Sequence, residues 1–133
     1  MKILLVSHGD FAEGLCSTLT NFFGASNLYW ASVTMDEGTG ALLNKANAYL
    51  EEWGEEQVVI CSDLKGGSAN QTAFPLIVRP NTYLITGMNF SLVLQLMMEQ
   101  EVNEEKINTI IQNAKEDMVL MNTLLLEMDD DDE

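Results

Sequence analysis

A doubly wound, mainly parallel α/β sheet with helices on both faces is the fold this sequence predicts. Short apolar runs recur at Ile3–Val6, Tyr29–Val33, Val58–Cys61 and Tyr83–Thr86. Between them lie longer segments with apolar residues at helical spacing. Strands that alternate with helices pair in parallel, with right-handed crossovers covering both faces. The chain has 133 residues and is 47% apolar, enough for one domain with a real core.

Each element has its own signals. The first run ends in Ser7-His8-Gly9-Asp10, and Phe11, Leu15, Leu19, Phe22 and Phe23 then follow a helical period. Asp10, with Glu13 three positions on, reads as a capping box. A second helix carries Leu42, Ala46, Tyr49, Leu50 and Trp53 and stops at Gly54. A third starts after Gly66-Gly67, with Ser68 and Gln71 as a second capping box, and Pro75 makes it short or kinked. A fourth follows Asn89 with Leu92, Leu96 and Met97. The last opens at Asn103 and continues through Ile107, Ile110, Ile111, Ala114, Met118, Met121 and Leu125. Methionines at this spacing read as core packing. Residues 1–128 are expected to form one domain, and 129–133 a solvated acidic tail.

Composition excludes several classes. The net charge is −15; without the five acids at 129–133, 16 acids against 6 bases leave −10. Such a chain lacks the basic patch of a nucleic-acid binder and favours a basic protein partner. No run reaches the ~18 apolar residues of a transmembrane helix. The start has no signal-peptide pattern. Cys16 and Cys61 sit among apolar neighbours, which fits a reducing cytosol rather than a disulfide framework. A cytoplasmic location is therefore expected. One histidine and two core cysteines do not make a zinc site, and no metal or other cofactor is expected.

Ligands of doubly wound sheets sit beyond the carboxyl ends of the strands. Two polar clusters fall there: Ser7-His8-Gly9-Asp10 after the first strand, and Ser62-Asp63-Leu64-Lys65-Gly66-Gly67-Ser68 after the third. First and third strands are commonly neighbours, which would face His8 toward Asp63. A carboxylate that accepts one imidazole N–H fixes the tautomer and leaves the other nitrogen as a nucleophile. The Gly66-Gly67-Ser68 turn offers close backbone approach and a helix start to a phosphoryl group, and Lys65 would add charge. Each residue also has a plainer role open to it. A single histidine is often only a polar residue, Asp63 and Ser68 serve equally as turn and cap residues, and Cys61 is a core position.

With these residues in place, the chain resembles the enzyme IIA domains of the mannose (mannose/fructose/sorbose) family of the bacterial phosphoenolpyruvate-dependent sugar phosphotransferase system. The resemblance rests on an apolar strand ending in Ser7-His8-Gly9, Glu13 in the first helix, a strand ending in Asp63, then Gly66-Gly67-Ser68, and Gly87-Met88-Asn89 before the fourth helix. It implies a phosphoryl group taken from the phosphocarrier HPr onto His8 and passed to a IIB component, with the membrane components IIC and IID acting downstream. It implies that Asp63 orients the imidazole and that Gly66, Gly67, Ser68 and the Ser7 hydroxyl help hold the phosphoryl group. It also implies a homodimer that exchanges an antiparallel edge strand, for which Leu124-Leu125-Leu126 is the candidate unless it finishes the last helix. IIB is expected on a separate chain. The sequence departs from the family pattern at Ser7, where threonine is usual, at Ala69, where proline is common, and at Pro75; the family's asparagine corresponds to Asn70 or Gln71.

Three other readings compete. A response-regulator receiver would use Asp63 as phosphoacceptor but needs an acidic pair after the first strand. A non-catalytic regulatory module would leave His8 inert. A hydrolase using His8 and Asp63 lacks a Gly-x-Ser-x-Gly elbow.

Overall fold

The computed structural model describes residues 1–131. Four strands, β1 (Lys2–His8), β2 (Leu28–Val33), β3 (Val58–Ser62) and β4 (Thr82–Thr86), form one parallel sheet in the order β2-β1-β3-β4. The helices are α1 (Phe11–Phe23), α2 (Gly38–Trp53), α3 (Ser68–Ala73), α4 (Phe90–Met97), α5 (Glu104–Lys115) and α6 (Met121–Asp131). A 3-10 turn, Phe74–Val78, follows α3 with Pro75 in its first turn. The missing N–H of proline thus ends the α-helix after six residues, as the sequence requires.

Side-chain alternation along the strands sorts the core into two layers. Ile3 and Leu5 of β1, with Val59, Cys61 and Ile85, pack under Leu19 of α1, Leu92 and Leu96 of α4, and Ile107 and Ile110 of α5. Leu4 and Val6, with Ala31, Val58 and Ile60, pack under Leu42, Ala46, Leu50 and Trp53 of α2 and Ala69 and Ala73 of α3. Every residue of β3 is buried, so this strand is held from both sides.

Caps form where the preceding residue is extended. Asn89 and Asn103 both have extended backbones, and each Oδ1 accepts a helix N–H, from Leu92 and Lys106, at 2.8 Å. Asp10 does not cap through its side chain. Its backbone (φ −89°, ψ 4°) is already close to helical, and the Ser7 hydroxyl takes the Ala12 N–H at 2.8 Å instead. Ser68 is likewise the first helical residue rather than the cap, a position held by Gly67.

Two further expectations are corrected. The last helical pattern splits into α5 and α6, because Glu116 and Asp117 put negative charge at the negative end of the α5 dipole and the buried stripe stops at Ala114. Met118 and Met121, expected as core packing, are more than half exposed, and so are Leu125 and Met128; Phe11, Phe22 and Phe23 on the apolar stripe of α1 are also at least half exposed. Ala12 and Leu19 form the buried side of α1. Leu124-Leu125-Leu126 is helical, inside α6. Of the acidic tail, 129–131 continue α6, and 132–133 lie outside the described residues.

Ile60 is fully buried in the second layer. Its replacement by alanine is expected to lower stability by about 2–5 kcal/mol, measured by urea unfolding; a loss below about 1 kcal/mol would contradict the packing described.

Candidate active site

The strand order places a topological switch between β1 and β3, where chain segments leave in opposite directions and a crevice opens. His8 ends β1 there, and Asp63 follows the last residue of β3. Pairing of β1 with β3 stops at Val6↔Ser62, while pairing with β2 continues to His8↔Val33. The His8 N–H is therefore left without a ladder acceptor on the β3 side. The Asp63 carboxylate supplies one: Oδ2 accepts the His8 backbone N–H at 2.9 Å.

The same oxygen lies 2.8 Å from His8 Nδ1. An ionised carboxylate only accepts, so Nδ1 carries the proton and donates it to Asp63. The other carboxylate oxygen accepts the Leu64 N–H at 2.9 Å. Partial burial works to raise the Asp63 pKa, but the hydrogen bonds from the His8 backbone and ring and from Leu64, with the attraction of the imidazole, outweigh it and hold the carboxyl below its ordinary value. The Asp63 side chain is 16% exposed and that of His8 49%, so the ring is gripped from below and open above. Nε2 has no hydrogen-bond partner among the described residues.

The 64–67 turn closes on this ring. Gly67 N–H donates to Leu64 O at 3.0 Å, and Gly66 has φ +78°, a conformation that favours glycine. A Cβ on Gly67 would lie 3.3 Å from His8 Cε1 and 3.2 Å from Leu64 O, so a side chain there would crowd both the imidazole and the turn's own carbonyl. Ser68 and Lys65 are exposed beside it.

The structure thus brings together His8, Asp63 and Gly67, with Gly66 and Ser68 as their sequence neighbours. It gives Ser7 another task. Ser7 is fully buried, and its hydroxyl accepts from Ala12 N–H and donates to His8 O at 3.1 Å. It anchors the start of α1 beneath the histidine. Cys61 is buried in the core, and burial pushes its thiol up to about 12, which removes it as a nucleophile. Both oxygens of Asp63 are engaged, which also speaks against a receiver-type phosphoacceptor there.

Some participants were not legible in the sequence. Asn70 and Gln71 reach back from α3 to the backbone of Gly66, Asn70 Oδ1 accepting its N–H at 3.1 Å and Gln71 Nε2 donating to its carbonyl at 2.6 Å. Asn70 also donates to Ser62 Oγ at 2.9 Å. The one sequence signal was the expectation of an asparagine at 70 or 71. Phe11 and Phe90 line a groove with Asp10, Gly14, Leu15 and Thr18 at the start of α1.

A switch-point imidazole held by a carboxylate, without a nucleophile elbow, is an arrangement compatible with an α/β carrier of a small transferable group. Comparison with known proteins agrees. A family model described as "PTS system fructose IIA component" matches residues 2–115, and the chain belongs to this IIA family of the phosphotransferase system. Its members are phosphotransferases that carry a phosphohistidine, and the chain has a phosphocarrier role in a sugar phosphotransferase system. Similar solved structures include the mannose/sorbose specific IIA subunit from Enterococcus faecalis (22% identity, 90% of this chain and 92% of that one, TM-score 0.81). The PTS IIA protein associated with the fucose utilization operon of Streptococcus pneumoniae is 24% identical over 93% of this chain and 95% of its own, with a TM-score of 0.80. The EIIA component from Streptococcus agalactiae is 22% identical over 92% of this chain and 98% of its own, with a TM-score of 0.72. No curated protein matches the chain.

The Asp63 carboxyl is lower in the folded chain than in the unfolded one, where aspartate titrates near ~3.9. Its stabilising contribution is complete above that value and is lost as the pH falls through the lower folded value. Asp63→Asn is therefore expected to flatten the fall in stability below about pH 4, read as the urea midpoint against pH; an acid limb parallel to the wild type would contradict the grip on His8.

Proposed function

We propose that His8 is the residue that carries the phosphoryl group, taken from phospho-HPr and delivered to a IIB component. The observation that carries this reading is the pair of hydrogen bonds that Asp63 Oδ2 accepts from the backbone N–H and ring Nδ1 of His8, which leaves Nε2 free. The Nε2 lone pair attacks the phosphorus of the HPr phosphohistidine. A new P–N bond forms as the P–N bond on HPr breaks, and the HPr imidazole leaves with its electron pair. The proton on Nδ1 stays, and the Asp63 carboxylate balances the positive charge that builds on the phosphorylated ring. Transfer to IIB repeats the step with His8 as leaving group. Such transfer depends on positioning and charge stabilisation, and a donor that is already a phosphohistidine needs no nucleotide.

Ser68 is the residue we assign to the phosphoryl oxygens; Gly67, whose N–H is given to Leu64 O, and Gly66 shape the turn that brings it there, and Lys65 adds charge at its rim. Exposed Phe11, Phe90 and Leu64 around the site, and the acidity of the chain, suit docking of a partner with an apolar centre and a basic surround. The chain is proposed to act in the cytoplasm; no helix among the described residues is long and apolar enough to cross a membrane. A homodimer is proposed as well. It is supported by the unpaired edge of β4 and by Met121, Leu124, Leu125 and Met128, exposed along one side of α6.

Incubation with phosphoenolpyruvate, enzyme I and HPr is expected to add one acid-labile phosphoryl group by intact mass, absent from His8→Ala. An unchanged mass while HPr is visibly phosphorylated would overturn the reading and favour a non-catalytic module.

A further inference from the structure

We propose that Asn70 is a positioning residue for phosphoryl transfer: its carboxamide ties the glycine turn to the buried end of β3, and so keeps the turn at a fixed distance from the imidazole. The inference rests on His8 being the phosphoryl carrier.

The turn has little packing to hold it. Leu64, Lys65, Gly66 and Ser68 are exposed, and two of the four residues between Asp63 and Ser68 are glycines, so local opening would be cheap. A directed chain of hydrogen bonds does the holding. Gly66 N–H donates to Asn70 Oδ1 at 3.1 Å, Asn70 Nδ2 donates to Ser62 Oγ at 2.9 Å, and Ser62 Oγ donates to Thr86 Oγ1 at 3.0 Å. The directions follow from chemistry. The Gly66 amide needs an acceptor, which turns the carboxamide nitrogen toward Ser62; the Ser62 hydroxyl accepts there and gives its proton to Thr86. Ser62 and Thr86 are register partners at the ends of β3 and β4, and Ser62 is fully buried. The hydrogen-bond chain therefore ends on paired residues of the sheet, and Ser62 lies one residue before the carboxylate that grips His8.

Gln71 completes the fixation by donating to Gly66 O at 2.6 Å. Both backbone polar groups of Gly66 are thus taken by side chains from the start of α3, and the Gly67 N–H is taken by Leu64 O. The next residue, Gly67, is the one that lies against His8 Cε1. A slip of the turn by about 1 Å would alter the space beside Nε2, and misplacement on that scale costs transfer reactions as much as about 100-fold. Aspartate at 70 would lose the donor to Ser62, and leucine would lose both bonds.

The test uses Asn70→Ala, Ser62→Ala and the double variant, each with an intact His8 and Asp63. Phosphoramidate, a small donor that needs no partner protein, and phospho-HPr are used in parallel, with hydrogen exchange at the Gly66 amide as a separate readout. Asn70→Ala is expected to speed Gly66 exchange by about 10-fold or more. It is expected to lower kcat with phospho-HPr by about 10-fold with KM unchanged, and to slow loading by phosphoramidate to a similar degree. Ser62→Ala should reproduce the effect, and the double variant should be no worse than either single one. Wild-type kcat in Asn70→Ala, or unchanged Gly66 exchange, overturns the proposal. A fall in thermal stability with kcat intact does so too, since it would make Asn70 purely structural. A wild-type chain that takes no phosphoryl group at His8 from either donor overturns the carrier reading and the transfer role of Asn70 together, while Gly66 exchange still reports whether the clamp itself exists.

Discussion

One carboxylate oxygen, Asp63 Oδ2, accepts both the backbone N–H and the ring N–H of His8, and the site depends on that contact. It fixes the histidine main chain where the β1/β3 ladder has run out, and it fixes the ring with Nδ1 inward and Nε2 outward. A weaker arrangement would leave a half-exposed imidazole free to rotate, with its two nitrogens competing for the proton. The contact arises from topology. Parallel order puts β1 next to β3, β3 stops at Ser62, and the following side chain fills the acceptor position that the strand no longer supplies.

The rest of the molecule makes that contact rigid and reachable. Two apolar layers clamp β1 and β3 from both faces. Beneath the histidine the Ser7 hydroxyl ties α1 to the end of β1. Above it a glycine turn lies so near that a Cβ on Gly67 would meet the ring, and Nε2 has no partner among the described residues. A carrier needs this combination, because its phosphoryl group must be held firmly and still be presented in turn to two different proteins. Electrostatics complete the arrangement. The Asp63 carboxyl, held below its ordinary value, stays ionised at neutral pH beside the ring.

The sheet and the His8–Asp63 pair were legible in the sequence because they depend on local facts. Apolar runs mark buried parallel strands, and polar residues directly after them mark the functional end of the sheet. The two asparagine caps were legible for the same reason. Other features depend on backbone angles or on neighbours far along the chain. Asp10 and Ser68 have cap chemistry but nearly helical or fully helical positions, so their side chains do not cap. Phe11, Phe22 and Phe23 fit a helical stripe, yet the sheet covers only the narrower face that holds Ala12 and Leu19. The apolar pattern from Asn103 to Leu125 concealed a break, because periodicity carries no information about what covers a helix beyond Ala114. The sequence marked position 70 or 71 only as the place of the family's asparagine; the contacts of Asn70 exist only once Ser62, Gly66 and Thr86 are brought around it.

The central claim is that Asp63 holds Nδ1 and leaves Nε2 to carry the phosphoryl group. The most direct measurement is ¹⁵N and ³¹P NMR of the protein with ¹⁵N-labelled histidine, before and after phosphorylation. This account predicts a protonated Nδ1 in both states and phosphorus coupling at Nε2 after transfer. Phosphorus coupled to Nδ1, or a free ring with its proton on Nε2, would contradict it.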